Sequence, residues 1–208
     1  VINADGSEAS MCGNGLRCVA RYVCEKLQVS EALIETMKAN LKVKKEQPLF
    51  KQLPTYSVEI SPVSFALSSL PMWYKNQEAI LNEVIEAFSP TIQFTAVSVP
   101  NPHLIGIVND YYIKHQSHQF LLAQYLNNEN EYCADGVNVS YVYPMTDDSI
   151  YVRTYERGVG FTNACGTAMT ASAKVAHVNG IVKSNIVTVY NPGGYVKCVI
   201  ETEESGYK

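Results

Sequence analysis

Asn3–Cys18 reads NADGSEASMCGNGLRC, and the reading of the whole chain turns on it. Val1 to Ala4 has the character of a strand end, and Asp5-Gly6-Ser7 is turn-forming. Cys12 follows, then Gly13-Asn14-Gly15. Beyond these, Leu16, Val19, Ala20, Val23 and Leu27 recur with helical period along one stripe. A second stretch of the same kind, Glu156–Ser172, reads ERGVGFTNACGTAMTAS and centres on Cys165. Both run strand, glycine-containing turn, Cys-Gly-[Asn/Thr]-[Gly/Ala], helix. Two copies so far apart suggest two similar lobes, each presenting one thiol.

The chemistry follows from where each cysteine falls. A helix N-terminus leaves about four backbone N–H groups without helical partners and carries partial positive charge. A thiol there is expected to lose its proton more readily than the usual cysteine. The amides of Gly13, Asn14, Gly166 and Thr167 would form two anion cradles. A carboxylate between them is partly neutralised, which favours the enolate-like charge that builds when its α-carbon loses a proton. Cys12 and Cys165 on opposite faces of that carbon form a two-base pair: one takes the proton, the other returns one, and configuration inverts. No cofactor is needed, and the pair titrates as a coupled unit.

Composition narrows the classes. With 208 residues, 47% of them hydrophobic, the chain can bury a sizeable core. A net charge of −4 without a basic stripe argues against nucleic acid. No apolar run approaches a membrane span. The six cysteines contain no Cys-x2-Cys pair, so no metal site is expected, and reduced thiols in a cytoplasmic protein are the default. The chain lacks an initiator Met and opens like a strand end, so it reads as part of a longer chain.

Strands are predicted at 33–37, 41–44, 56–60, 91–99, 104–108, 136–143 and 149–155, with a hairpin over 186–190 and 195–200 around Asn191-Pro192-Gly193-Gly194. Helices are predicted at 78–88, 118–126 and from Cys165 to Val178, the last stopped by Asn179-Gly180. The stretch Pro62 to Pro71 reads as irregular. It divides the chain into 1–61, the remainder of an N-terminal lobe, and 62–208, a C-terminal lobe.

Four motifs in order, NADGSEASMCGNGLRC, Pro100-Asn101-Pro102-His103, Gly136-Val137-Asn138 and ERGVGFTNACGT, together resemble diaminopimelate epimerase. The resemblance runs through nearly the whole chain. It implies an α+β fold of two pseudo-symmetric lobes, each a mixed, mostly antiparallel sheet curled around a central helix, with the site in the cleft. It implies cofactor-independent interconversion of LL- and meso-2,6-diaminopimelate, on the route to lysine and peptidoglycan. Cys12 and Cys165 match the catalytic bases. The backbone of Gly13, Asn14, Gly166 and Thr167 would hold the reacting carboxylate, with His103 and Glu156 near the reacting ammonium. Asn3, Asn101, Asn138, Glu156 and Arg157 match substrate-binding positions, and Arg157 suits bidentate pairing with the distal carboxylate. A homodimer is compatible with the resemblance.

There are departures. An N-terminal Gly-Asn-Asp-Phe segment with further strands, and a final C-terminal strand, lie outside these residues, so the 208 residues made alone are expected to be poorly active or unstable. Phe161 stands where the family has Glu, Ala168 where it has Gly, and Met11 where it has Gln. Cys18, Cys24, Cys133 and Cys198 read as structural, as do His115, His118 and His177. Arg17 and Arg21 read as a solvated or inter-lobe face. Three alternatives stand beside this reading: a two-thiol racemase of another amino acid (proline, hydroxyproline or histidine type), a redox protein using a Cys12–Cys165 disulfide, and a non-catalytic binding module.

Overall fold

A computed structural model describes residues 12–37, 39–115, 117–128 and 130–201. The expected strand end at Val1–Ala4, the turn at Asp5-Gly6-Ser7, and Asn3, Glu8, Met11 and Lys38 lie outside them. The chain forms two compact units. One extends up to Val63 and includes Val99–Asn101; the other comprises Ser64–Ser98 and the chain from Pro102 onward.

In the first unit, helix α1 (Gly13–Leu27) is followed by strands β1 (Glu31–Glu35), β2 (Asn40–Glu46) and β3 (Thr55–Val58), an antiparallel sheet in that order. The helix ends at Gln28, in left-handed conformation (φ 55°). The row Leu16, Ala20 and Cys24 is buried against Leu41, Val43 and Tyr56. The apolar stripe read from sequence is therefore rotated: Val19 and Leu27 are exposed. The three strands take the i, i+4, i+8 row, which four-residue spacing aligns on one face.

The second unit begins with a 3-10 turn (Leu67–Ser69) and strands β4 (Glu83–Val84), β5 (Gln93–Ser98) and β6 (Pro102–Ile107). Helices α2 (Asp110–Lys114) and α3 (Ser117–Leu126) lead to β7 (Asn138–Thr146), β8 (Ser149–Glu156) and β9 (Gly160–Thr162). Helix α4 (Gly166–Val178) and the hairpin β10 (Ile186–Asn191) and β11 (Gly194–Val199) follow. One sheet runs β11-β10-β8-β7-β6-β5-β4, with β9 paired to β8. Its ladders are antiparallel except β6–β7 and β8–β10. Helix α4 packs against β5, β6, β7, β8, β10 and β11. Eight of its 13 residues are buried, so the sheet wraps it. Alanines at 168, 171, 173 and 176 favour helix and let strands approach closely. A C-terminal turn stops it: Ile181 N–H bonds the Ala176 carbonyl (2.8 Å), Gly180 N–H bonds that of His177 (3.0 Å), and Gly180 is left-handed. No helix among the described residues is long and apolar enough to cross a membrane.

The helix predicted over 78–88 is absent. Asn82 has φ 53°, and its N–H bonds Thr95 Oγ1 (2.9 Å). Ala96 N–H bonds the Ile80 carbonyl (3.0 Å), and Glu83 pairs with Phe94. Ile80 and Ile85 are buried while Leu81 and Val84 face outward. The apolar spacing suits a helix, but pairing with β5 claims the backbone instead.

Candidate active site

Each unit presents one cysteine as a helix N-cap. Cys12 caps α1 with extended backbone (φ −143°, ψ 100°), and its Sγ accepts from Gly15 N–H at 3.4 Å. Cys165 caps α4 with nearly the same backbone (φ −125°, ψ 110°). In both, glycine occupies the first helical position, where no side chain stands between backbone and ligand. The first helical bonds are Leu16 N–H to the Cys12 carbonyl (2.8 Å) and Met169 N–H to the Cys165 carbonyl (3.0 Å). Gly13 and Asn14, and Gly166 and Thr167, thus precede the helical ladder. Cys12 is half-buried; Cys165 is 8% exposed.

The environment of Cys165 corrects the expectation of a lowered pKa. Burial pushes its thiol up to about 12, and the Glu156 carboxylate acts in the same sense. The Thr167 hydroxyl, 3.5 Å from Sγ, and the Ala168 amide oppose this and lose. Desolvation penalises the thiolate more than one helix terminus compensates. At neutral pH Cys165 holds its proton.

The second unit gathers its other candidates at one end of the sheet. His103 lies near the start of β6 and Asn138 at the start of β7, directly paired in register, and Glu156 ends β8. Asn138 uses both ends of its amide: Nδ2 donates to the Pro102 carbonyl (3.1 Å), and Oδ1 accepts from Arg157 N–H (2.9 Å). It thereby ties the starts of β6 and β7 to the turn after β8. Arg157 is exposed, and its Nη1 donates to the Asp135 carbonyl (3.1 Å). Gly136 is left-handed (φ 71°), and a Cβ there would meet Asn127 Oδ1 at 2.7 Å and the Arg157 stem at 3.3 Å. Glycine is required at 136 for both conformation and space.

His103 is fully buried, and neither ring nitrogen has a hydrogen-bond partner among the described residues. Burial, with Arg157 contributing, holds its pKa down to about 3. It is an uncharged imidazole with both ring nitrogens unsatisfied among the described residues, a costly arrangement. Glu156 is half-buried and accepts from Thr162 Oγ1 across the β8–β9 hairpin. Sequence reading missed Thr162; its signal is a threonine opposite the end of β8 across the glycine turn. Phe161 alternates away from that face, pairing with Tyr155 in register, meeting the Tyr155 ring edge to face and the Phe120 ring at a tilt, with the Arg153 guanidinium over its own ring. Asn101 belongs to the first unit, as do Cys12, Gly13 and Asn14; Asn3 lies outside the described residues.

Residues 95–207 match the family described as diaminopimelate epimerase. Over 208 residues the chain is 52% identical to a diaminopimelate epimerase of Listeria monocytogenes serotype 4b (strain F2365), covering 99% of this chain and 62% of that one. It is 49% identical over 210 residues to one of Enterococcus faecalis (strain ATCC 700802 / V583), covering 100% and 64%. The chain thus spans less than two thirds of the length of these relatives. Among solved structures, a probable proline racemase from Agrobacterium radiobacter K84, with bound carbonate, matches at TM-score 0.60 and 16% identity, over 99% of this chain and 64% of that one. A Bacillus anthracis phenazine biosynthesis protein of the PhzF family matches at TM-score 0.59 and 12% identity, over 92% and 68%. The last two likenesses concern the fold.

Proposed function

This chain belongs to the diaminopimelate epimerase family, and on that premise we propose that it interconverts LL- and meso-2,6-diaminopimelate in the cytoplasm, on the route to lysine and peptidoglycan. One observation carries the reading: two cysteines, each an extended N-cap followed by glycine, begin the central helices of two separate units. One sulfur removes the α-proton. The electron pair left on carbon delocalises into the carboxylate, whose charge the amides of Gly13, Asn14, Gly166 and Thr167 receive. The other thiol delivers its own proton to the opposite face, and the centre inverts. Each cysteine is base in one direction and acid in the other. Cys165, protonated at neutral pH, starts in the acid form.

The remaining roles follow from charge. Neutral His103 sits beside the substrate ammonium without repelling it, while Glu156 compensates that ammonium. Arg157 has N–H groups beyond the one given to Asp135 and pairs with the distal carboxylate. Asn3, Asn101 and Asn138 donate and accept along the substrate. The substrate's second charged end distinguishes this assignment from a racemase of simple amino acids. Turnover of LL-diaminopimelate against a panel including proline, hydroxyproline and histidine tests it. Inversion of diaminopimelate alone is expected; inversion of another amino acid alone would overturn the assignment.

A further inference from the structure

The turn between β10 and β11 touches the chain on both sides of Cys165. Gly193 N–H bonds the carbonyl of Asn163, two residues before the cysteine, at 2.8 Å. The same N–H bonds Asn191 Oδ1 (3.0 Å). Asn191 Nδ2 lies 2.8 Å from Met169 Sδ. Met169 is the residue whose amide closes the first helical bond onto the Cys165 carbonyl. The turn therefore holds the approach to the cysteine at one point and the first turn of its helix at another.

The two glycines of this turn are there for different reasons. Gly194 is left-handed (φ 135°), and a Cβ on it would meet nothing within 4 Å, so it is glycine for conformation. Gly193 is outside the left-handed region, yet a Cβ on it would lie 2.8 Å from the Asn163 carbonyl oxygen, 3.3 Å from its carbon and 3.4 Å from Ala164 Cβ. Gly193 is glycine for space, and the space belongs to backbone that cannot swing aside as a side chain would.

We propose that the Asn191–Gly194 turn is a positioning clamp for Cys165, and that Gly193 and Asn191 are positioning residues for its thiol. A methyl group at 193 must push the Asn163 carbonyl outward and carry the cysteine with it. What Cys165 does rests on the proposed epimerase reading; where the turn holds it does not.

The test compares Gly193→Ala with Gly194→Ala in the intact protein. Gly194→Ala strains the same turn without touching Asn163 and reports general weakening of the hairpin. Two readouts separate positioning from stability. One is the ratio of alkylation rates at Cys165 and Cys12 in the folded protein, read by peptide mass spectrometry. The other is the fate of the α-proton of LL- and meso-diaminopimelate in deuterated water. Gly193→Ala is expected to change the Cys165 rate with Cys12 unmoved. It is also expected to lower inversion by at least about tenfold, since ångström-scale misplacement costs up to a hundredfold. From the stereoisomer whose proton faces Cys12, exchange without inversion should continue. Gly194→Ala should lower the melting temperature and move both readouts less than Gly193→Ala does. Asn191→Ala, which adds no atoms, should repeat the Gly193→Ala pattern more weakly, and carries the test if Gly193→Ala does not fold. Equal behaviour of Gly193→Ala and Gly194→Ala, or an unchanged thiol ratio in Asn191→Ala, would overturn the clamp. A shifted thiol ratio in a protein that inverts no diaminopimelate would uphold the clamp and reject the substrate assignment.

Discussion

Acid should destabilise this fold through one side chain. His103 is buried, neutral and held down to a pKa of about 3, against 6.5 for an ordinary histidine. Above pH 6.5 the imidazole is uncharged in both folded and unfolded chains and contributes no pH dependence. Between 6.5 and 3 the unfolded chain binds a proton that the folded chain refuses, so stability falls as pH falls. The full loss, reached near pH 3, is about 5 kcal/mol, and at pH 5.0 it is about 2 kcal/mol. Equilibrium urea unfolding at pH 7.5 and 5.0, in the original protein and in His103→Gln, isolates this contribution. The variant is expected to be less stable at pH 7.5, because it rearranges a buried polar site. Its further loss on acidification should nevertheless be smaller by about 2 kcal/mol. Equal acid losses in the two proteins would refute the reasoning, as would an NMR titration in which the His103 ring takes up a proton near pH 6.

Further outcomes follow from the same geometry. Glu156→Gln removes the second of the causes that raise the Cys165 pKa, so the pH profile of Cys165 alkylation should move to lower pH. An unmoved profile would exclude Glu156 as a partner of the thiol. Gly106→Ala places a Cβ 2.9 Å from Phe94 Cε1 and 3.0 Å from Ile92 Cγ2 in the packed core, and chemical denaturation should show a loss of about 1–3 kcal/mol. A neutral result there would mean that the Phe94 ring slides aside. Air should inactivate the protein by linking Cys12 to Cys165, with recovery under a thiol reductant. An air-inactivated sample without that linkage in its peptide map would contradict the proposed two-thiol site.

The sequence was legible wherever short-range periodicity and capping agreed with tertiary packing. Both Cys-Gly helix starts, the Asn179-Gly180 stop and the Asn-Pro-Gly-Gly hairpin are local signals, and the structure has all of them. In the segment 78–88 the spacing of Ile80, Leu81, Val84 and Ile85 fits a helix, while the decisive bonds are made with Thr95 and Ala96 on β5, outside any local window. The helix terminus does not lower the Cys165 pKa because burial outweighs it, and burial is a tertiary quantity that no local motif encodes. Thr162 and Gly193 stayed hidden for a related reason. Each acts on a residue brought close by strand pairing or by a hairpin tip, and neither belongs to a residue type that suggests acid–base chemistry.

The central claim is that two sulfurs work from opposite faces of one carbon. Cys12→Ser and Cys165→Ser, each given LL- and then meso-diaminopimelate in deuterated water, test it most directly. Neither variant should invert its substrate at a substantial rate. Each should still exchange the α-proton of one stereoisomer at the reacting centre, and the two variants should favour opposite stereoisomers. Exchange lost alike from both stereoisomers in either variant, or inversion that survives the loss of either sulfur, would contradict the account.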